Sequence, residues 1–306
     1  MNIVKRFSRF SIFPLLKAVL FLSRLLPWRF KVTLGGGVGL LFFYISKRYR
    51  QLALENYKIA FGLDQSDDSS YKIIKKSFQN LGKSLIEILN LQCLNPQQVD
   101  DLILWEGEEY LKQAEGEGIV LITGHIGNWE LMGAMLSMRG YRLHAIAAPL
   151  YNARINGLIV NLRSRFNVGT INRGTPSSSR KILEILRKKE ILALLIDQDT
   201  RVNGIFVPFF NKQAHTPTGA AQLALRSNAR TVMAFITRLP DNRHRITIQK
   251  PIVLARTGDS KRDIEVNTAL FTARIEQQIR VYPDQWVWMH RRWKTRPTGD
   301  ASEGLS

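Results

Sequence analysis

Short apolar runs rich in β-branched residues alternate with helical segments along most of this chain, and the alternation constrains its fold more than any other feature. The run Gly-Ile-Val-Leu-Ile at 118–122 is typical of a buried strand, and the apolar segment 130–138 after it suits a helix. Such alternation predicts an α/β fold, with a central sheet covered by helices on both faces. The predicted strands cover 118–123, 142–147, 168–171, 191–196, 230–237 and 244–249. The predicted helices cover 71–91, 128–139, 152–166, 177–189, 216–228 and 263–281.

The charge of the chain is strongly positive, because 44 Lys and Arg against 25 Asp and Glu give a formal net charge of +19. Such an excess requires an acidic partner, which is a nucleic acid, an anionic membrane surface or an acidic protein. Residues 1–50 hold ten basic residues and no Asp or Glu, and they are also strongly apolar. Since nucleic-acid arms are usually basic and polar, this combination favours an anionic lipid surface.

The N-terminal region is too interrupted to predict a membrane-spanning helix. A span needs roughly 20 mainly apolar residues. Residues 10–28 are interrupted by Pro14, Lys17 and Arg24, and the uncharged run 32–45 has only fourteen residues, four of them glycines. We therefore expect helices that lie in the membrane interface.

A polar, turn-rich stretch at 61–70 predicts a boundary within the chain. The sole cysteine, Cys93, excludes an internal disulfide and a multi-cysteine metal site. The expected parts are a basic, apolar, membrane-associated region at 1–60, an α/β domain at 61–297 and a polar tail at 298–306.

A histidine and a glutamate lie five positions apart where the predicted strand 118–123 is followed by the predicted helix 128–139. Open α/β sheets bind ligands at such strand ends. Asn128 is expected to cap the helix, and a turn allows Glu130 in its first turn to fold back onto His125. That arrangement predicts a general base with an orienting carboxylate. A surface histidine near a helix start is the alternative for so short a pattern, but the place at a sheet edge between glycines favours catalysis.

Three arginines, Arg163, Arg165 and Arg173, follow near a turn on the same predicted edge of the sheet. A single arginine there would indicate a solvated basic face. Three of them favour a site for a phosphate or sulfate group, because the planar guanidinium matches the geometry of such oxyanions.

Two carboxylates, Asp197 and Asp199, follow the fourth predicted strand. They indicate either an active-site contribution or a turn held by side-chain hydrogen bonds. We expect no metal, because no histidine is near them in the sequence. The apolar segment 204–210, which includes Gly204 and Phe206, either lines a hydrophobic channel or belongs to the core.

Other motifs narrow the class of protein. The glycine-rich stretch 35–39 lacks the Lys-Ser/Thr of a phosphate loop, and no Gly-x-Ser-x-Gly supports a serine hydrolase. Trp286, Trp288 and Trp293 alternate with basic residues near the C-terminus. That pattern fits stacking on nucleic-acid bases, a membrane interface or a strand packed on the core.

Several blocks of the sequence resemble the bacterial lipid A biosynthesis acyltransferases, members of the wider glycerolipid acyltransferase-like group that carries an HxxxxD/E motif. The blocks follow the order of that family over roughly residues 30–297. They are Thr-Gly-His-Ile-Gly-Asn-Trp-Glu at 123–130, the spacing of Arg163 and Arg173, Asp197-Gln-Asp199, the segment 204–210 with Thr216 and Thr218, and the segment 283–297.

The resemblance implies a mixed central sheet flanked by helices and an O-acyltransferase at the cytoplasmic face of a bacterial inner membrane. The donor would be an acyl carrier protein or coenzyme A, and the acceptor a lipid A precursor or similar glycolipid that carries phosphate. No cofactor, metal or nucleic acid is expected. His125 would be the general base, paired with Glu130. The substrate-binding candidates are Asn128, Arg163, Arg165, Arg173, Asp197, Asp199, Gly204 and Phe206.

Two other functions stay open at this point. One is a non-catalytic, membrane-attached binding protein for anionic lipid or nucleic acid, which would explain the net charge without the His125–Glu130 pair. The other is a lipid-ester hydrolase in which His125 activates water.

Overall fold

The computed structural model describes residues 26–63, 67–148, 153–174 and 178–297, so the segment 1–25 and the predicted tail 298–306 lie outside the described residues. Two short 3₁₀ helices, Leu91–Cys93 and Pro283–Gln285, accompany the α-helices. The α-helices are α1 (Trp28–Ile45), α2 (Lys47–Phe61), α3 (Asp68–Asn90), α4 (Pro96–Asp101), α5 (Glu109–Lys112), α6 (Trp129–Met138), α7 (Ala153–Arg165), α8 (Ser178–Arg187), α9 (Gly219–Arg226) and α10 (Ser260–Val281).

A seven-stranded sheet forms the centre of the molecule, with the strand order β1-β9-β8-β2-β5-β3-β4. Only the β8–β9 pair is antiparallel among its neighbours, so the sheet is mixed and mostly parallel. Strands β6 and β7 form a separate antiparallel hairpin. The strands are β1 (Ile103–Glu106), β2 (Ile119–Thr123), β3 (Leu143–Ala147), β4 (Gly169–Asn172), β5 (Ile191–Leu195), β6 (Gly204–Phe209), β7 (Lys212–Pro217), β8 (Arg230–Arg238) and β9 (His244–Ile248).

The α/β fold with a mixed sheet, predicted from the sequence, is confirmed. All six predicted strands are present, with ends shifted by at most one residue. The prediction that a helix begins at 216 is wrong, because residues 216 and 217 end strand β7 and the helix begins at Gly219. Phe210 and Asn211 join β6 to β7 with positive φ angles of 54° and 58°. Tight hairpin turns usually contain asparagine or glycine, so the sequence around Phe210 does not predict this hairpin.

Strand β2 lies in the middle of the sheet and is buried along its whole length. Val120 and Ile122 belong to the apolar core on one face, and Ile119 and Leu121 to the core on the other face. Burial on both faces explains why this strand is a continuous apolar run rather than an alternating one. It also makes the end of β2 a rigid support for the residues that follow.

Helix α1 packs closely on α3 through glycines. A Cβ built on Gly39 would lie 2.1 Å from the carbonyl oxygen of Phe78, and one on Gly82 would lie 2.2 Å from that of Gly35. The opposite side of α1 exposes large apolar residues. Among the described residues, no helix is both long and apolar enough to cross a membrane.

Helix α2 links the N-terminal region to the core. Tyr57 and Phe61 pack on Trp288, with ring centroids 5.0 and 6.1 Å away. Asn56 donates hydrogen bonds from Nδ2 to the carbonyl oxygens of Trp288 at 2.7 Å and His290 at 2.6 Å. The described part of the predicted membrane-associated region therefore packs directly on the α/β domain, and the division at residue 61 stays a prediction.

Candidate functional site

His125 lies on the turn that joins β2 to α6, at the carboxyl end of the central strand. Gly127 makes the turn possible, because its φ is +61° and a Cβ there would lie 2.1 Å from the carbonyl oxygen of Ile236. The predicted cap is confirmed: Asn128 Oδ1 accepts a hydrogen bond from the backbone N–H of Leu131 at 3.2 Å. The turn thus holds His125 between a buried strand and a capped helix.

Asp197 is the partner of the His125 imidazole. Nδ1 of His125 lies 2.7 Å from Asp197 Oδ1, and the backbone N–H of His125 donates to Oδ2 at 2.7 Å. Nε1 of Trp286 donates to the same Oδ2 at 2.7 Å. The carboxylate is fully buried, whereas the His125 side chain stays 21% exposed. The structure therefore brings a buried acceptor and an accessible imidazole into direct contact.

These contacts determine which nitrogen of His125 carries a proton. Burial alone would raise the pKa of Asp197, but the His125 charge and the hydrogen bonds from His125 and Trp286 outweigh it and lower the pKa to about 2. An ionised carboxylate only accepts hydrogen bonds, so Nδ1 of His125 must donate. In the neutral imidazole, Nε2 is then the unprotonated nitrogen and can accept a proton.

The structure corrects the predicted contact between Glu130 and His125. Both oxygens of Glu130 accept hydrogen bonds from Arg163, with Nε at 2.9 Å and Nη2 at 2.5 Å. The first turn of α6 directs Glu130 towards α7, while the ring of Trp129 packs against His125 with centroids 4.9 Å apart. A carboxylate 72 positions away in the sequence takes the orienting place instead.

The three predicted phosphate-binding arginines have three different partners. Arg163 is committed to Glu130, and its pKa rises because that ion pair outweighs the opposing effect of burial. Nη1 of Arg165 donates to Gln92 at 3.0 Å, and Nη1 of Arg173 to Thr200 at 3.4 Å. The predicted cluster is therefore not supported, because Arg163 and Arg165, two positions apart on α7, lie on different sides of the helix, while Arg173 follows β4.

Asp199 and the segment after it occupy the neighbouring loop. Oδ1 of Asp199 lies 3.2 Å from Nδ1 of His215, and Oδ2 accepts from the backbone N–H of Thr295 at 2.8 Å. Gly204 pairs in β6, where a Cβ would lie 2.6 Å from the carbonyl oxygen of Thr216. The ring of Phe206 contacts that of His215, with centroids 5.7 Å apart. Gly204 and Phe206 thus contact residues of β7, and their role in substrate binding stays a prediction.

A large, mainly apolar cavity opens at the same edge of the sheet. Its volume is about 890 Å³, and it lies between α8, α9 and the carboxyl ends of β3, β4 and β5. Ile196, which precedes Asp197, lines the cavity, so the cavity reaches the strand end that carries the partner of His125. Its apolar lining also includes Ile146, Ile171, Ile182, Leu194 and Leu223.

The model of one protein family, described as "Bacterial lipid A biosynthesis acyltransferase", matches residues 4–295. The chain belongs to this family. It is thus an enzyme of an acyltransferase family, as the resemblance of its sequence blocks implied.

Relatives from several bacteria match this acyltransferase along much of its length. It is 28% identical over 285 residues to a lipid A biosynthesis lauroyltransferase of Escherichia coli (strain K12), covering 92% of this chain and 90% of the relative. A palmitoleoyltransferase of lipid A biosynthesis from the same organism is 27% identical over 93% of this chain and 91% of the relative. A phosphatidylinositol mannoside acyltransferase of Mycobacterium tuberculosis (strain CDC 1551 / Oshkosh) is 24% identical over 71% of this chain and 69% of the relative.

The sequence did not predict the contacts that residues of the block 283–297 make near His125. Trp286 and Trp288 are buried, which rules out base stacking for them, and Trp286 is the second donor to Asp197. Burial, followed by the charge of His125, lowers the pKa of His290 to about 4. The alternation of tryptophan with basic residues marked this segment, but not its contacts.

A buried ionic network lies next to the turn that carries His125. Glu87 of α3 accepts hydrogen bonds from Nη1 and Nη2 of Arg238 and, at 3.0 Å, from Nδ2 of Asn128. Nε2 of His244 lies 3.2 Å from Glu87. Burial alone would raise the pKa of Glu87, but the charges of His244 and Arg238 outweigh it and lower the pKa to about 2. Glu87 thus connects the cap of α6 to β8 and β9.

No group of three His, Cys, Asp or Glu side chains in the described part of the chain is arranged to hold a metal ion.

Proposed function

We propose that this protein is an O-acyltransferase that transfers a fatty acyl group from an acyl thioester to a hydroxyl of a lipid A precursor or a similar glycolipid. The observation that carries this proposal is the His125–Asp197 pair beside a large apolar cavity. The relatives named for lipid A and phosphatidylinositol mannoside acylation support a glycolipid as the acceptor.

His125 acts as the general base on the acceptor hydroxyl. With Nδ1–H held by Asp197, Nε2 removes the hydroxyl proton as the oxygen attacks the thioester carbonyl. The tetrahedral intermediate then expels the thiolate, which takes the proton from Nε2–H, so that an ester and a free thiol are formed. Asp197 holds the tautomer and stabilises the imidazolium that forms between the two steps. Direct attack by the hydroxyl requires no covalent acyl-enzyme.

Glu130 contributes by a different route from the one its sequence motif suggests. Its ion pair with Arg163 joins the start of α6 to α7, next to the turn that carries His125. We therefore assign Glu130 and Arg163 as positioning residues that maintain the shape of the site. Asn128 has the same role, because its side chain caps α6 and contacts Glu87.

The apolar cavity is the compartment for the acyl chain of the donor. Its lining residues come from α8, α9 and three strand ends, and they are mainly apolar, which favours contact with an alkyl chain. The reactive thioester would then lie where Ile196 leads into Asp197, close to the imidazole. The donor is an acyl carrier protein or coenzyme A.

The proposed place of action is the cytoplasmic face of the bacterial inner membrane. Phe30, Leu34, Leu41 and Ile45 are exposed along one side of α1 at spacings of four, seven and four residues, which is a helical stripe. Basic residues flank the stripe at Arg29, Lys47 and Arg48. Such a surface lies in a membrane interface and attracts anionic lipid.

The experiment is an assay of the purified protein with a radiolabelled acyl thioester and a phosphorylated, partly acylated glucosamine disaccharide. We expect a labelled lipid product, which His125→Ala does not form. Loss of thioester without a labelled acceptor would indicate a hydrolase instead. Binding of the acceptor without any thioester loss would support the non-catalytic binding protein.

A further inference from the structure

A second, polar pocket of about 340 Å³ lies beside the apolar cavity. Val202 and Asn203 line both spaces, so the pocket and the cavity share a wall. Asp199, Arg201 and Lys294 are among the other residues that line the polar pocket. A polar compartment next to an apolar one is the arrangement that an amphipathic molecule requires.

The charges at this pocket are mainly positive. Arg201 and Lys294 are exposed to solvent, and neither has an ion-pair partner among the described residues. Arg173 reaches the same loop from the side of the apolar cavity, through its contact with Thr200. Three flexible cations thus surround the loop that separates the two spaces.

Asp199, the single carboxylate among the residues that line the pocket, offsets only part of this positive charge. Its two oxygens are engaged by Nδ1 of His215 and the backbone N–H of Thr295, and its side chain is only 5% exposed. Behind His215, the buried Arg292 donates to the carbonyl oxygen of His215 and to Thr216 at 2.6 Å each. The pocket therefore has a hydrogen-bonded polar wall and two exposed cations at its edge, which suits an anion.

The pocket is also close to the proposed base. Asp197 contacts His125, and Asp199 follows only two residues later in the same loop. A substrate whose anionic group fills the pocket would extend its other groups towards His125.

We propose that this polar pocket binds a phosphate group of the glycolipid acceptor, through Arg201 and Lys294. The proposal rests on the proposed acyltransferase function for the identity of the acceptor. It moves the phosphate site from the predicted cluster around Arg163 to the loop that follows β5. A phosphate of the donor, such as that of coenzyme A, is the competing source of the same chemistry, and the test separates the two.

The test measures equilibrium binding without any transfer step. The probes are a phosphorylated acylated glucosamine disaccharide, the same lipid after enzymatic removal of phosphate, and an acyl-coenzyme A. The variant is Arg201→Ala/Lys294→Ala. The matched control is Lys261→Ala/Arg262→Ala, which removes the same charge from exposed positions in the first turn of α10.

We expect each of the two substitutions in the Arg201→Ala/Lys294→Ala variant to weaken binding of the phosphorylated lipid by about tenfold to a hundredfold. Binding of the dephosphorylated lipid should be unchanged. Arg201→Lys should weaken binding less than Arg201→Ala does, because lysine keeps the positive charge but lacks the planar guanidinium with its paired donors. Equal weakening for both lipids, or a defect confined to acyl-coenzyme A, would overturn the proposal. Because no turnover is measured, a failure of the acyltransferase assay would not affect this result.

Discussion

At the scale of single residues, the buried Asp197 carboxylate determines which nitrogen of His125 can act as a base. We predict that Asp197→Asn lowers kcat by ~10²–10⁴-fold, because an amide no longer holds the Nδ1–H tautomer or stabilises the imidazolium. The measurement is turnover at saturating donor and acceptor, with circular dichroism to confirm folding. Near-normal turnover of a folded Asp197→Asn protein would contradict the mechanism.

A second prediction concerns the ion pair between Glu130 and Arg163. Since each residue is the partner of the other, Glu130→Gln and Arg163→Gln should each lower transfer, and the double variant should be no worse than the worse single variant. The pH profile of kcat should keep its shape in these variants, because Asp197 still orients His125. A double-mutant cycle with additive losses would mean that the two side chains act separately.

The residues near His125 show how far sequence reasoning reaches. The strand, the turn and the Asn128 cap could be predicted, because each depends on neighbours in the chain. The partner of His125 could not, because the choice between Glu130 and Asp197 depends on where β5 lies relative to β2. The pairing of β2 with β5, which lie far apart in the sequence, cannot be predicted from the residues around His125.

At the scale of elements, the contact between α1 and α3 offers a matched pair of glycines. Gly39→Ala should destabilise the protein by about 1–3 kcal/mol, because its Cβ would lie 2.1 Å from the Phe78 carbonyl oxygen and the helices must move apart. Gly37→Ala should instead stabilise it by roughly 0.5–1 kcal/mol, since no atom lies within 4 Å of that Cβ. Urea unfolding measures both. Equal effects would mean that α1 is not packed on α3 as described.

Glu87 connects α3 to the turn that carries His125, through Asn128, and to β8, through Arg238. We predict that Glu87→Gln costs about 3–5 kcal/mol of unfolding free energy at pH 7, because Arg238 and His244 are left buried without their counter-charge. Glu184→Gln in the exposed α8 pair with Lys188 is the control and should change little.

The same network makes a prediction about pH. The folded pKa of Glu87, about 2, is below its ordinary value of 4.5. The stabilisation is therefore complete above about pH 4.5 and is lost as the pH falls towards 2. The difference in unfolding free energy between wild type and Glu87→Gln should shrink over that interval. A difference that stays constant down to pH 2 would show that Glu87 is not held ionised.

Regular elements could be predicted more fully than their irregular neighbours. Runs such as 118–123 and 191–196 are continuously apolar and contain β-branched residues, and the structure places strands there. The sequence does not predict the β6–β7 hairpin, because Phe210, rather than glycine or asparagine, is the first of the two positive-φ residues in its turn. The backbone N–H of Phe210 donates a hydrogen bond to Glu276 of α10 at 2.5 Å, so a residue distant in the sequence contributes to the turn.

At the scale of the whole molecule, a run of the sequence without acidic residues and the exposed stripe on α1 occur in the same N-terminal region. The ten basic residues of 1–50 have no acidic residues among them, and Phe30, Leu34, Leu41 and Ile45 are exposed within the same region. Each basic residue near an anionic leaflet contributes on the order of 1 kcal/mol, which salt screens, whereas apolar burial persists in salt. Attachment by this surface should therefore be only partly reversed by high salt.

Point substitutions test this surface better than truncation, because removal of 1–50 would also remove α1 from its packing on α3. We predict that Leu41→Glu/Ile45→Glu reduces flotation with anionic liposomes severalfold while the melting temperature stays the same, because both side chains already face solvent. The control is Val253→Glu/Val281→Glu, at positions that are 92% and 63% exposed on other parts of the protein. The control adds the same charge, so an equal loss of flotation in both variants would show that charge alone, rather than the α1 stripe, sets the attachment.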